Sequence, residues 1–156
     1  MQDQTCAPET DLVALAKDID IDVIAKPKIG GGVEWSLDIK TPGHGKDNKI
    51  DLPKDHSYLM NFTLDDRTRL NLRFDASAPI FVRGGGAGPC PTDISTPQIM
   101  VDSCDAKKLV VIDWNYGAPT ELYYQLNFVN KTGLEKYPYD PEIKNGGGGG
   151  EPMMVD

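Results

Sequence analysis

The sequence is short of the residues on which small proteins usually build cross-links or chemistry. It has three cysteines, Cys6, Cys90 and Cys104. An odd number with no CxxC pair argues against a disulfide framework, a zinc ribbon and a thioredoxin-type motif. One bridge, Cys90 to Cys104, stays open, because both fall in loop-like sequence. Histidine is rarer still, with only His44 and His56. A blue-copper centre needs two His around a Cys, and no His follows Cys90 or Cys104. Positive charge is also scarce: 16 Lys and Arg stand against 24 Asp and Glu, for a net charge of −8. That balance leaves little for phosphate contacts, so no nucleic-acid partner is expected. No apolar run approaches the roughly 20 residues of a membrane helix, and no membrane partner is expected. The opening residues, Met1-Gln2-Asp3-Gln4-Thr5, supply neither the basic nor the apolar part of a secretory signal. Together with unpaired thiols, they suggest a cytoplasmic protein.

What is abundant is alternation. The chain has 156 residues, enough for one domain with its own core. Apolar residues recur with period two, the mark of strands with one buried and one wet face. Ile19, Ile21 and Val23 alternate with Asp18, Asp20 and Asp22. Val33, Trp35, Leu37 and Ile39 form a second stripe; Tyr58, Met60, Phe62 and Leu64 a third. Leu70, Leu72 and Phe74 form a fourth, after a turn expected at Asp65-Asp66. Leu122, Tyr124, Leu126 and Phe128 form the last, opposite Gln125 and Asn127. Shorter strands are predicted at Ile80–Val82 and Ile99–Val101. The run from Lys108 to Trp114 has a continuously apolar middle, as in a strand covered on both faces. Thr10 to Lys17 fits either one or two helical turns or a first strand. Glycines collect at 30–32, 84–88 and 146–150, marking loops and a tail.

About eight strands at this spacing predict an all-β fold, a two-sheet, mostly antiparallel β-sandwich of immunoglobulin-like form. A cupredoxin-like or jelly-roll strand order is the alternative. The hallmark cysteines of a true immunoglobulin domain are missing from the strong stripes. The expected division is an arm over residues 1–10, a sandwich over 11–144 and a Gly-rich tail over 145–156.

No catalytic constellation stands out, and no cofactor is implied. Arg83-Gly84-Gly85-Gly86 lacks the closing Lys-Ser or Lys-Thr and the helix of a phosphate loop. No GxSxG occurs. His44, Asp47, Asp51, Asp55 and His56 are the candidate metal ligands; the loops of residues 41–56 and 83–97 would build a site if they met at one end of the sandwich. Their plain reading is a solvated polar rim. The acids at 18, 20 and 22 share one strand face and need solvent, partners or a cation to avoid repulsion. Trp114, Tyr116, Tyr123, Tyr137 and Tyr139 are the aromatic rings least firmly assigned to the core, and so the candidate interaction residues. Tyr137-Pro138-Tyr139 also suits a role in pinning the end of the chain onto the sandwich.

The C-terminal segment carries a resemblance. Tyr139-Asp140-Pro141-Glu142-Ile143-Lys144-Asn145-Gly146 leads through polyglycine to Glu151-Pro152. With the all-β pattern before it, this resembles the DP-EP family of small bacterial and viral proteins, Asp140-Pro141 and Glu151-Pro152 being the two dipeptides. The resemblance implies a compact β-sandwich from a bacterium or phage, and it implies no catalytic residues. The expected function is a non-catalytic binding or assembly module, forming a homo-oligomer or meeting a protein partner. The alternative is a metal-dependent binding protein or a hydrolase that uses loop carboxylates.

Overall fold

The alternating stripes become rows of side chains that run across strands. The computed structural model describes residues 16–46, 49–53, 56–84, 94, 96, 98–116, 120–139 and 142–145. Their strands are β1 (Lys17–Pro27), β2 (Val33–Ile39), β3 (Gly45–Lys46), β4 (Lys49–Leu52), β5 (Tyr58–Asp66) and β6 (Arg73–Phe74). The rest are β7 (Ile80–Gly84), β8 (Ile99–Cys104), β9 (Lys108–Asp113), β10 (Thr120–Val129), β11 (Lys136–Tyr139) and β12 (Glu142–Asn145). They form two mostly antiparallel sheets in a sandwich. No helix among the described residues is long and apolar enough to cross a membrane.

The first sheet has the order β2-β1-β5-β9-β8. Ile39, Ile21, Phe62 and Leu109 stand side by side across four of its strands. Ile21, Phe62 and Leu109 are buried, and Ile39 packs on them from the edge strand. Two of the acids on the opposite face of β1, Asp18 and Asp22, have side-chain partners. Asp18 accepts a bond from the Asn61 amide at 3.2 Å, and Asp22 lies 3.7 Å from the Lys40 ammonium. β9 is buried on both faces in its second half, where Ile112 and Asp113 are both inaccessible.

The second sheet has the order β11-β10-β12-β4-β3, with β6 and β7 also paired to β10. Its inner face supplies Ile50, Leu52, Phe74, Ile80, Val82, Leu122, Tyr124, Leu126 and Phe128 to the core. Two pairings are parallel, β1 with β5 and β4 with β12. β3 pairs antiparallel with β4, and Gly45 at its start has φ +114° and a missing side chain that leaves room for the Lys49 carbonyl. Pro138 lies in β11, at the end of the sheet order, where a strand can spare an N–H.

The expected Asp65-Asp66 turn and Leu70–Phe74 strand are corrected here. β5 continues through Asp66, and only Arg73 and Phe74 of the next stripe pair as a strand. Residues 67–72 are a crossover between the sheets. The Asp66 carboxylate holds that crossover by accepting bonds from the Thr68 N–H, the Thr68 hydroxyl and the Leu72 N–H. Leu72 and Phe74 are still buried, so the apolar alternation survives without a ladder. Burial opposes ionisation of Asp66. The Thr68 and Leu72 bonds, with the nearby Lys107 ammonium, outweigh it and hold the carboxyl below its ordinary 3.8.

A carboxylate held low stabilises the fold above its unfolded pKa and loses that contribution as pH falls through the folded value. Asp66→Asn is therefore expected to destabilise the protein at pH 7, and the penalty should shrink below about pH 4. Urea titrations of both proteins at the two pH values test this. An equal penalty at both would show that the charge on Asp66 is not what organises the crossover.

The Thr10–Lys17 segment lies largely outside the described residues, as do Cys90, Asp140-Pro141 and Glu151-Pro152. Lys17 itself opens β1. Cys104 is a free, half-buried thiol. Burial raises its pKa, and the Asp105 and Asp75 carboxylates add to the rise. β12 carries the ordered strands through Asn145.

Candidate functional site

Three of the five metal-ligand candidates gather at one corner. The His44 N–H at Nδ1 lies 3.2 Å from the Asp51 carbonyl oxygen, and the Asp51 N–H donates to the His44 carbonyl at 2.8 Å. His44 and His56 both meet the Tyr58 ring edge-on, at centroid distances of 5.3 and 6.4 Å. Burial raises the Tyr58 pKa, and the Asp51 carboxylate raises it further. Asp47 and Asp55 lie outside the described residues. Among the described residues, no three His, Cys, Asp or Glu side chains are grouped to hold a metal ion. What the corner does contain is a brace. Asn115, fully buried with φ +52°, donates from its amide to the Pro53 and His56 carbonyls at 2.8 and 3.0 Å. Buried Asp113 accepts the Asn115 N–H at 2.9 Å, and the Ser57 hydroxyl donates to the Trp114 carbonyl at 2.9 Å.

The five candidate interaction rings separate by burial. Trp114 is 2% exposed and Tyr139 is 9% exposed, so both belong to the interior. Tyr139 stacks on Trp35 at 5.5 Å and 9°. Burial pushes the Tyr139 hydroxyl above the ordinary tyrosine range. Tyr116, Tyr123 and Tyr137 are half-buried. Tyr123 lies on the outer face of β10 beneath the Arg83 guanidinium, 4.8 Å from the ring centre.

That outer face also carries a site which the sequence did not single out. β10 pairs with β7 and β12 at the same residues, Leu122 and Tyr123, so those strands flank it on opposite sides. With Leu122, Tyr124, Leu126 and Phe128 turned inward, Gln125 and Asn127 face out. Phe81 of β7 stands beside Gln125, and Pro138 of β11 beside Asn127. The turn at residues 75–78 and the β11 residues Lys136 and Tyr137 complete the walls of a groove of about 350 Å³.

The polar groups of this groove are held in a chain. Asn127 is only 8% exposed, and its amide donates to the Ala78 carbonyl at 2.8 Å. Its carbonyl accepts from the Gln125 amide at 2.6 Å. A nearly buried Asn thus fixes the plane of a half-buried Gln at the surface. At the other wall, Asp75 accepts the Ser77 N–H at 3.1 Å and the Ser77 hydroxyl at 2.7 Å. Its second oxygen accepts from the Lys136 ammonium at 3.0 Å. Burial disfavours the Asp75 charge, but the Ser77 and Lys136 bonds prevail and hold its pKa below the ordinary value. A fixed amide, a paired carboxylate and ammonium, and flat apolar surfaces can orient a polar ligand.

No protein-family model matches the chain, and no curated protein matches it.

A second groove, of about 650 Å³, lies at the opposite end of the molecule from His56, between Lys28, Arg67, Arg69, Leu70 and Tyr137. Arg67 is committed to Asp65 by bonds of 2.8 and 3.0 Å from its guanidinium. Among the described residues, no buried polar side chain orients the groups around it in the way that Asn127 orients Gln125.

The sequence contained one signal for the outer groove. Gln125 and Asn127 are two apart on the wet face of the strongest strand pattern, where charged residues are the commoner choice. Their partners, Ala78 and Phe81, are more than 40 positions away, and only the register of β7 against β10 brings them together.

Proposed function

We propose that this chain is a non-catalytic binding module whose ligand seat is the outer groove between Phe81, Gln125 and Tyr137. The observation that carries the reading is the chain Ala78–Asn127–Gln125. Stability alone does not call for a nearly buried amide that presents a second amide to solvent. A recognition surface does, because a polar group fixed before binding loses less entropy on binding. The volume falls at the lower end of the range for small-molecule sites.

The test is a fragment screen by protein-observed NMR, with a library of small polar and aromatic compounds. Hits are expected to perturb the side-chain amides of Gln125 and Asn127 and the backbone of Phe81 and Tyr137. Hits that collect at the His44–His56 corner, or at no common place, would overturn the assignment.

A further inference from the structure

We infer that the ligand of the outer groove is an uncharged carbohydrate, bound with one sugar face against Phe81 and its hydroxyls towards Gln125 and Asp75. The inference rests on the groove being the ligand seat and adds the class of ligand.

Charge comes first. Asp75 is the carboxylate of the groove, and Lys136 neutralises it within the walls. The side chain of Asp75 is 14% exposed and that of Lys136 is 64% exposed, so the pair is anchored from the acid side. A charged ligand would have to compete with that pair, while a neutral one leaves it intact.

Hydrogen-bonding capacity comes second. A sugar hydroxyl both donates and accepts, so its site needs both functions close together. Gln125 uses one amide hydrogen on Asn127; among the described residues its second hydrogen and its carbonyl oxygen have no partner. Asp75 takes two bonds on one oxygen and one on the other, which leaves acceptor capacity on the second. The Ser77 hydroxyl spends its proton on Asp75 and keeps its acceptor side. The free Gln125 amide hydrogen, the remaining Lys136 ammonium hydrogens and several acceptors therefore line a space the size of one or two sugar rings, with Gln125 and Asp75 fixed from behind.

Shape comes third. A pyranose has a face of C–H groups that packs against flat apolar surfaces. Phe81 on β7 and Pro138 on β11 supply such surfaces on the two sides of Gln125 and Asn127. A peptide adding to the sheet would need a free strand edge, whereas β10 is flanked on both sides here.

The test is titration of the full chain, followed by two-dimensional NMR. The probes are neutral oligosaccharides built from glucose, galactose, mannose or N-acetylglucosamine, and an oligogalacturonate as the charged comparison. At least one neutral probe should bind in the millimolar range or tighter and shift the Gln125 and Asn127 side-chain amides. Gln125→Ala and Phe81→Ala should each weaken that binding by about tenfold or more, the loss expected for one good polar or stacking contact. Tyr123→Ala, outside the groove, should leave it unchanged. Thermal melts of each variant show whether the fold survives, and Phe81→Tyr, which keeps the flat ring, should retain binding. Stronger binding of the oligogalacturonate, or shifts elsewhere on the molecule, would overturn the inference. Fragments that bind the groove while every sugar fails would overturn the ligand class and leave the binding seat standing.

Discussion

Phe128→Ala is expected to lower the free energy of unfolding by about 3–5 kcal/mol. Phe128 is fully buried on β10. Its ring stacks on Trp35 at a centroid distance of 4.6 Å and 22°, and meets Phe74 at 4.6 Å and 35°. Trp35 comes from β2 in the first sheet, and Phe74 and Phe128 from the second. Trp35 also stacks on Tyr139, so one half-buried indole ties two rings of the facing sheet. Removing the Phe128 ring takes away its transfer energy and opens a cavity that rigid strands on both sides cannot fill. Phe128→Leu keeps most of the volume, and its cost should be clearly smaller. Urea denaturation measures both, with an unchanged slope as evidence that the unfolded state is the same. A loss under about 1.5 kcal/mol for the alanine variant would mean that the inter-sheet stack is not the close-packed centre described here.

Asn115→Ala should cost about 2–4 kcal/mol, through two separable effects. The first is backbone strain, because φ is +52° and alanine tolerates that region less well than asparagine. The second is the loss of the two amide bonds that satisfy the Pro53 and His56 carbonyls. Asn115→Gly removes only the second effect and should be milder by roughly 1 kcal/mol. The pair of variants thus divides the total. If glycine proves as damaging as alanine, strain contributes nothing and the amide bonds carry the whole effect. His56 and the loop before β5 should also shift in NMR spectra of both variants.

The sheets were legible because burial in a strand repeats every second residue. Ile19–Val23, Tyr58–Leu64 and Leu122–Phe128 lie in the core as their alternation predicts. The same rule misread Leu70–Phe74. Buried side chains alternate there too, but the backbone is bound by the Asp66 carboxylate and not by a neighbouring strand. Alternation reports burial and says nothing of which backbone groups pair. Tyr139 illustrates a second limit. The sequence left its ring open between an interaction role and pinning the end of the chain, and pairing of β11 with β10 stacks it on Trp35. The metal reading needed the loops of residues 41–56 and 83–97 to meet, and most of the second lies outside the described residues; within the first, His44 and His56 do approach each other. What they share is a tyrosine ring, in addition to backbone bonds. The outer groove was the least legible feature, since each of its walls comes from a different part of the chain.

The parallel pairing of β1 with β5 also dictates an order of events during synthesis. Lys17 lies opposite Tyr58, and Ala25 opposite Asp66. As β1 leaves the ribosome, β2 is the sheet neighbour that follows it closely in the chain. A lone two-stranded hairpin is at best marginally stable in water. Ile19, Ile21 and Val23 therefore wait with their apolar sides uncovered until the fifth strand has emerged, and the facing sheet is complete only when β12 arrives. The acids between those isoleucines then have a use in the nascent chain as well as in the finished one. Their mutual repulsion keeps early strands of neighbouring chains apart during the interval when pairing with a stranger is easiest.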